Sequence, residues 1–203
     1  ENIYAIADDE DEYSLIAIER DAESGDLRIS TIIEDGSATG EDGVKVDGLS
    51  DVEGLAVHGS HLFLSAGSRG ADTLVFDLAD RANPAFVGKL PSFRGGFGTC
   101  EHPLARHDAP AVDVACTGGE YFTVQVGSDG SLFGSDLARG GRSDSFGNAI
   151  PTNSDLLSFA GSPDGRHLYV AGSVFIFEFD PETGSFIFGY RDQFLVFERV
   201  HGG

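Results

Sequence analysis

An all-β fold is what this chain predicts, on three observations. Short apolar segments rich in β-branched and aromatic residues recur along its length, for example His167 to Ala171 and Val174 to Phe179. Compact turn sequences separate them: Pro163-Asp164-Gly165 and Asp180-Pro181-Glu182-Thr183-Gly184 set Pro where φ near −65° is wanted and Gly where φ must turn positive. No stretch sustains a 3.6-residue apolar period, so almost no helix is expected.

The clearest unit runs from Ser162 to Phe186. Two strands flank a hairpin at Gly172-Ser173; Leu156 to Gly161 before them and Ser185 to Tyr190 after them complete four strands in about 35 residues, the size of one propeller blade. Weaker copies recur three more times, which predicts a β-propeller of about four recognisable four-stranded blades.

Taken in order, Asn2 to Ala7 is a strand and Asp8 to Glu12 a charged hairpin loop. Ser14 to Arg20 and Asp26 to Ile33 follow, and this first blade lacks its opening strand. A polar connection, Glu34 to Asp51, leads to strands at Val52 to His58, His61 to Ala66, Asp72 to Leu78 and Ala85 to Leu90. Pro91 to Asp108 reads as a long insertion. Ala111 to Cys116, Glu120 to Val126 and Ser131 to Asp136 form a third, less regular blade, and Leu137 to Ser154 a surface loop or a poorly recognisable outer strand. After the fourth blade, Phe194 to Arg199 resembles an opening strand, and Val200-His201-Gly202-Gly203 matches Val57-His58-Gly59-Ser60. The chain therefore begins and ends at the same point of the repeat. Two explanations stay open: a ring closed by the C-terminal strand pairing with Asn2 to Ala7, or a segment of a larger propeller.

Composition bounds the function. The 203 residues are enough for one sizeable core, and a single domain over residues 1–203 is expected. A formal charge of −21, from 34 acidic groups against 13 Lys and Arg, opposes binding to nucleic acid or an anionic membrane surface. The chain has no Met and starts at Glu1, so it is expected to be a processed or excised product of extracellular or periplasmic type; no apolar run of membrane-spanning length is present.

Several stretches resemble known propeller families. Ser162 to Phe186 and Ser14 to Leu27 are similar to blades of lactonase-type, YncE-like propellers. Asp72 to Gly88 resembles the LVIVD repeat of secreted propellers, with an altered ending at Asp77, Asp80, Arg81, Ala82, Asn83 and Pro84. Asp51-Val52-Glu53-Gly54-Leu55-Ala56 is similar to a strand of gluconolactonase-like and phytase-esterase-like propellers, whose Glu holds a divalent metal in the central channel. The resemblance implies a Ca²⁺ site at Glu53, with Asp155 and Asp113 in comparable places of other blades. The Asn-Gly that gluconolactonase-like proteins carry is replaced by Asp155-Leu156-Leu157-Ser158. The alternative is that Glu53 caps the channel mouth or pairs with an Arg.

Other candidates have weaker chemistry. Cys100, His102, His107 and Cys116 can be drawn as a zinc set, but C-x-H-x4-H-x8-C lacks the paired-ligand spacing of known sites. Two cysteines in an exported chain make one disulfide more simply, with free thiols as a further alternative. The Asp8 to Glu12 run lacks the spacing of an EF-hand loop. His58 and His61 flank a hairpin and are expected to be solvated, and no G-x-S-x-G is present. The expectation is an extracellular binding or assembly module with a protein or glycan partner and no catalytic constellation. The alternatives are a Ca²⁺-dependent lactonase- or phosphoesterase-like hydrolase and a structural subunit of a larger assembly.

Overall fold

The computed structural model describes residues 1–9, 12–50, 52–66, 72–91, 100–106, 109, 111–117, 120–139, 143, 155–164, 166–180 and 185–198. Among them there is no helix, and every sheet is antiparallel. No helix among the described residues is long and apolar enough to cross a membrane.

The first sheet is a meander of β1 (Asn2–Asp9), β2 (Glu12–Arg20) and β3 (Leu27–Glu34). Asp21 closes the β2–β3 turn by accepting the backbone N–H groups of Glu23 and Ser24, at 2.9 and 2.7 Å. The connection that follows is less polar in role than in composition. It folds into a short hairpin, β4 (Ala38–Thr39) and β5 (Val44–Lys45), and buries Val46 and Leu49 completely in the core. Asp35 holds it by accepting from the N–H groups of Gly48 and Leu49. Gly40 sits at φ +68°, in the left-handed region, and a Cβ there would lie 3.1 Å from that of Ala85.

The second sheet orders β6 (Val52–His58), β7 (His61–Ala66), β8 (Thr73–Asp77) and β9 (Ala85–Leu90) in sequence. It is joined to what precedes it by the Tyr4 hydroxyl, which donates to Arg81 O at 2.9 Å, and by the Phe86 N–H, which donates to Thr39 Oγ1 at 2.8 Å.

The third sheet corrects the expected insertion. Residues 100–105 form β10 (Cys100–Ala105), the first strand of a four-stranded meander with β11 (Ala111–Cys116), β12 (Glu120–Val126) and β13 (Leu132–Arg139). Pro103 obscures the strand in sequence, because proline cannot donate to a ladder; the register shifts between Glu101 and Leu104, a bulge that accommodates it.

The fourth sheet has three strands: β14 (Asp155–Gly161), β15 (His167–Asp180) and β16 (Ser185–Glu198). Two expectations fail here. Gly172-Ser173 is not a hairpin, because Gly172 pairs with Gln193 and Ser173 with Asp192 in an unbroken ladder, which fuses two expected strands into one of 14 residues. Phe194 to Glu198 likewise continues β16 and pairs with β15, so the proposed pairing of a C-terminal strand with β1 is not made among the described residues. The Ser162-Pro163-Asp164 turn is present. Ser162 Oγ accepts the His167 N–H at 2.8 Å and donates to Asp164 Oδ1 at 2.6 Å; that second bond, with the Arg166 N–H donating to the same oxygen at 3.1 Å, holds the Asp164 carboxyl below its ordinary pKa.

The sheets stack in chain order. One core joins the first and second sheets, through Tyr4, Leu15 and Ile33 against Leu62, Leu64, Leu74 and Phe76. A second joins Phe63 and Val75 to Val112, Val114, Phe122 and Val124 of the third sheet. A third joins Ala115 and Tyr121 to Leu168 and Val170 of the fourth. Odd and even positions of β7, β8, β11 and β12 thus face opposite cores, which is why these strands read as continuous apolar runs.

Bulge positions align the sheets. In the second and third sheets the register shifts once between strands one and two and once between strands three and four. In the first sheet, β1 and β2 pair without a shift, and the shift falls between β2 and β3. β1 therefore corresponds to a second strand, in agreement with the missing opening strand inferred from sequence.

Candidate functional site

The first strands of three sheets lie side by side: β10 runs next to both β6 and β14. Each carries a register shift, at Glu53, at His102-Pro103 and at Leu157. A bulge re-aims the side chain of its extra residue and commonly occurs beside functional sites.

Glu53 is that extra residue in β6, between Val52 paired with Ala66 and Gly54 paired with Ser65, and it is exposed. Asp155 opens β14 opposite Ser173; its side chain lies outside the described residues. Asp113 does not occupy the equivalent place. With β10 supplying the first strand, Asp113 falls on the second, between Leu104 and Thr123, and is fully buried. The Thr123 hydroxyl donates to its carboxylate at 2.7 Å. A buried carboxylate needs such donors, since desolvation without them is costly. Asp113 therefore belongs to the polar stitching between β11 and β12 of one sheet, whereas Glu53 faces solvent. Among the described residues, no three His, Cys, Asp or Glu side chains gather as a metal set.

The zinc alternative at Cys100 and Cys116 is overturned. The two residues oppose each other across β10 and β11 and form a disulfide, so neither thiolate is free to ligate. Both are buried in the core between the second and third sheets. His102 lies in β10 with a side chain outside the described set, and His107 lies outside it entirely. His58 and His61 are direct cross-strand partners at the Gly59-Ser60 turn and half-buried, with Ser60 Oγ 3.3 Å from His61 Nδ1. Asp8 is exposed beside the end of β1, and residues 10 and 11 of the acidic run lie outside the described set.

An open groove beside the first sheet, lined by Glu1, Glu19, Arg20, Asp21, Asp26 and Arg28, is charged but internally paired. Arg20 meets Glu1 at 3.2 Å and Arg28 meets Glu19. Exposed pairs of this kind contribute little binding energy of their own.

Sequence reasoning missed β10 and all the bulges. The available signal was Pro103 within an otherwise strand-like hexapeptide, CEHPLA.

No protein-family model matches the chain, and no curated protein is similar to it in sequence. Among solved structures, a proposed 6-phosphogluconolactonase from Bacteroides uniformis aligns over 93% of this chain and 67% of its own, at 16% identity and a TM-score of 0.47. A second, from Bacteroides fragilis, aligns over 94% and 67% at 13% identity and a TM-score of 0.49. Scores at this level assign neither fold nor activity to the present chain.

Proposed function

We propose that this chain is a propeller-type binding or assembly module of the extracellular or periplasmic space. The observation that carries the proposal is the succession of meander sheets, with first strands β6, β10 and β14 side by side and the second and third sheets buried on both faces. In a propeller such strands surround a channel, and the connecting loops carry the binding surface. A fold does not fix an activity, so the non-catalytic part of the proposal rests on chemistry. Asp113 accepts from Thr123, both thiols are committed to a disulfide, and no three described His, Cys, Asp or Glu side chains gather as a metal set. The disulfide supports an oxidising compartment. A charge of −21 favours a neutral or basic protein or a glycan as partner.

A Ca²⁺-dependent hydrolase of the lactonase or phosphoesterase kind is the second reading, favoured by the exposed Glu53 in its bulge. Glu53 and Asp155, on the first strands of the second and fourth sheets with β10 between them, would be the holding residues; Asp113 does not fit. Bound there, Ca²⁺ would supply Lewis-acid polarisation of a carbonyl or phosphoryl oxygen.

The two readings separate in a calcium titration by calorimetry at high salt, with magnesium as control and Glu53→Ala alongside. Weak heat reproduced by magnesium is expected for the binding module, since salt screens diffuse attraction to an acidic surface. A saturable site lost in Glu53→Ala, together with turnover of lactones or phosphoesters, would replace it with the hydrolase.

A further inference from the structure

The chain contains five Asp-Gly dipeptides, at Asp35, Asp42, Asp47, Asp129 and Asp164. At such a pair the glycine nitrogen can attack the aspartyl carboxyl, because the glycine has no Cβ to hinder the approach or restrict the backbone. In a folded chain two things oppose the attack: a hydrogen bond that engages the nitrogen, and partners that hold the carboxylate ionised and fixed.

Four of the five are held. Asp35 Oδ1 accepts the Gly48 and Leu49 N–H groups at 2.8 and 3.1 Å, while the Gly36 N–H donates to Val46 O at 2.8 Å. Asp47 Oδ2 meets Lys89 Nζ at 2.7 Å, and the nitrogen beside it, Gly48, is the one bound to Asp35. Asp129 accepts from the Ser131 hydroxyl and N–H, and the Gly130 N–H donates to Gly127 O at 3.0 Å. Asp164 accepts from the Ser162 hydroxyl and the Arg166 N–H. In these last two, the donated bonds hold the carboxyl below its ordinary pKa and so in the unreactive ionised form. Asp42 differs on both counts. It is exposed in the turn between β4 and β5, and its carboxylate makes no hydrogen bond or ion pair among the described residues. The Gly43 N–H reaches Gly40 O at 3.4 Å, a longer bond than those of Gly36, Gly48 and Gly130, and nothing lies within 4 Å of where a Gly43 Cβ would stand.

We propose that Asp42-Gly43 is a site of spontaneous aspartyl isomerisation, and that conversion there loosens the joint between the β4–β5 hairpin and β9. The Gly43 nitrogen bonds to Asp42 Cγ, the Cγ–OH bond breaks, and the hydroxyl leaves with the amide proton as water. Water then opens the cyclic imide. Attack at the former side-chain carbonyl restores aspartate; attack at the main-chain carbonyl leaves isoaspartate, in which the backbone runs through Cβ and Cγ. The extra main-chain methylene enters one residue before Val44 and its neighbour in the turn, Gly43. Val44 pairs with Thr39, whose Oγ1 accepts the Phe86 N–H of β9 at 2.8 Å.

The test is incubation of the full chain, folded, in mildly acidic water enriched in heavy oxygen, followed by tryptic mapping with electron-transfer fragmentation. Arg28 and Lys45 place Asp35 and Asp42 in one peptide, residues 29–45, so fragmentation must separate them. Solvent oxygen and isoaspartate are expected at residue 42 at least tenfold faster than at residues 35, 47, 129 and 164. In urea the five rates should converge, since only the fold distinguishes them. Asp42→Glu, which would need a larger and slower ring, should remove the signal while leaving far-UV circular dichroism unchanged. In the converted fraction the Phe86 amide should exchange faster than in unconverted chain. Equal or faster conversion at another Asp-Gly pair of the folded chain would overturn the assignment, as would a signal that persists in Asp42→Glu or one absent from residue 42 when the urea-unfolded chain converts. Conversion with Phe86 exchange unchanged would overturn the coupling to β9.

Discussion

Replacing both cysteines, Cys100→Ala with Cys116→Ala, tests whether β10 is held by its covalent link or by its ladder. The bridge closes a sequence separation of 16 residues. In the chain-entropy model a loop of that length contributes ~3 kcal/mol by restricting the unfolded chain. Both sulfurs are buried in the core between the second and third sheets, so the small voids left by alanine add to the loss. The expected destabilisation is therefore ~3 kcal/mol or slightly more, equivalent to a fall in Tm of about 6–12 °C for a domain of this size. Urea unfolding is best followed by far-UV circular dichroism and tyrosine emission, since the chain has 5 Tyr and no Trp. Reducing the wild type should reproduce most of the effect. Amide exchange should accelerate first in β10, whose ladder is interrupted between Glu101 and Leu104. A loss below about 1 kcal/mol, with β10 protection unchanged, would refute the reasoning and mean that the unfolded chain already keeps residues 100 and 116 together.

Two further perturbations address the interface between the third and fourth sheets. Thr123→Val removes the hydroxyl that donates to the buried Asp113 carboxylate; a cost of about 1–3 kcal/mol is expected in urea unfolding, and a neutral result would show that other donors suffice. Burial pushes the Tyr121 phenol up to about 12, from an unfolded value of 10.0. Because the folded pKa is the higher one, the associated stability is complete below pH 10 and is lost as pH rises towards about 12, where the unfolded chain has released the proton and the folded chain still holds it. Urea midpoints measured from pH 8 to 11 should fall in the wild type and fall less in Tyr121→Phe.

Much of the fold was legible because its strands carry their own punctuation. The Gly59-Ser60 turn and the Asp21 cap sit where local chemistry demands them, and β6, β7, β9, β11 and β12 match the apolar segments residue for residue. The failures have a common cause: pairing partners distant in sequence decide what a short segment does. Gly172-Ser173 has the composition of a turn, yet Gln193 and Asp192 provide partners that keep it extended. Pro103 has the composition of a loop, yet a bulge absorbs it. Missing β10 then displaced the site as well, since Asp113 looked like a first-strand carboxylate only while residues 100–105 were counted as insertion. The disulfide was legible from cysteine count and context; its place across a directly opposed pair was not, because that depends on the register of the hidden strand.

The stacking order has a consequence for cooperativity. Among the described residues each apolar core joins only sheets consecutive in the chain, so stability approximates a sum of sheet terms and nearest-neighbour couplings, as in a linear Ising array. Damage to Val114 or Phe122 would then uncouple the fourth sheet from the second while leaving the first two coupled through Tyr4 and Thr39. Unfolding should accordingly spread from the ends inward, and new sequence can be tolerated at either end of the array more readily than between its middle members.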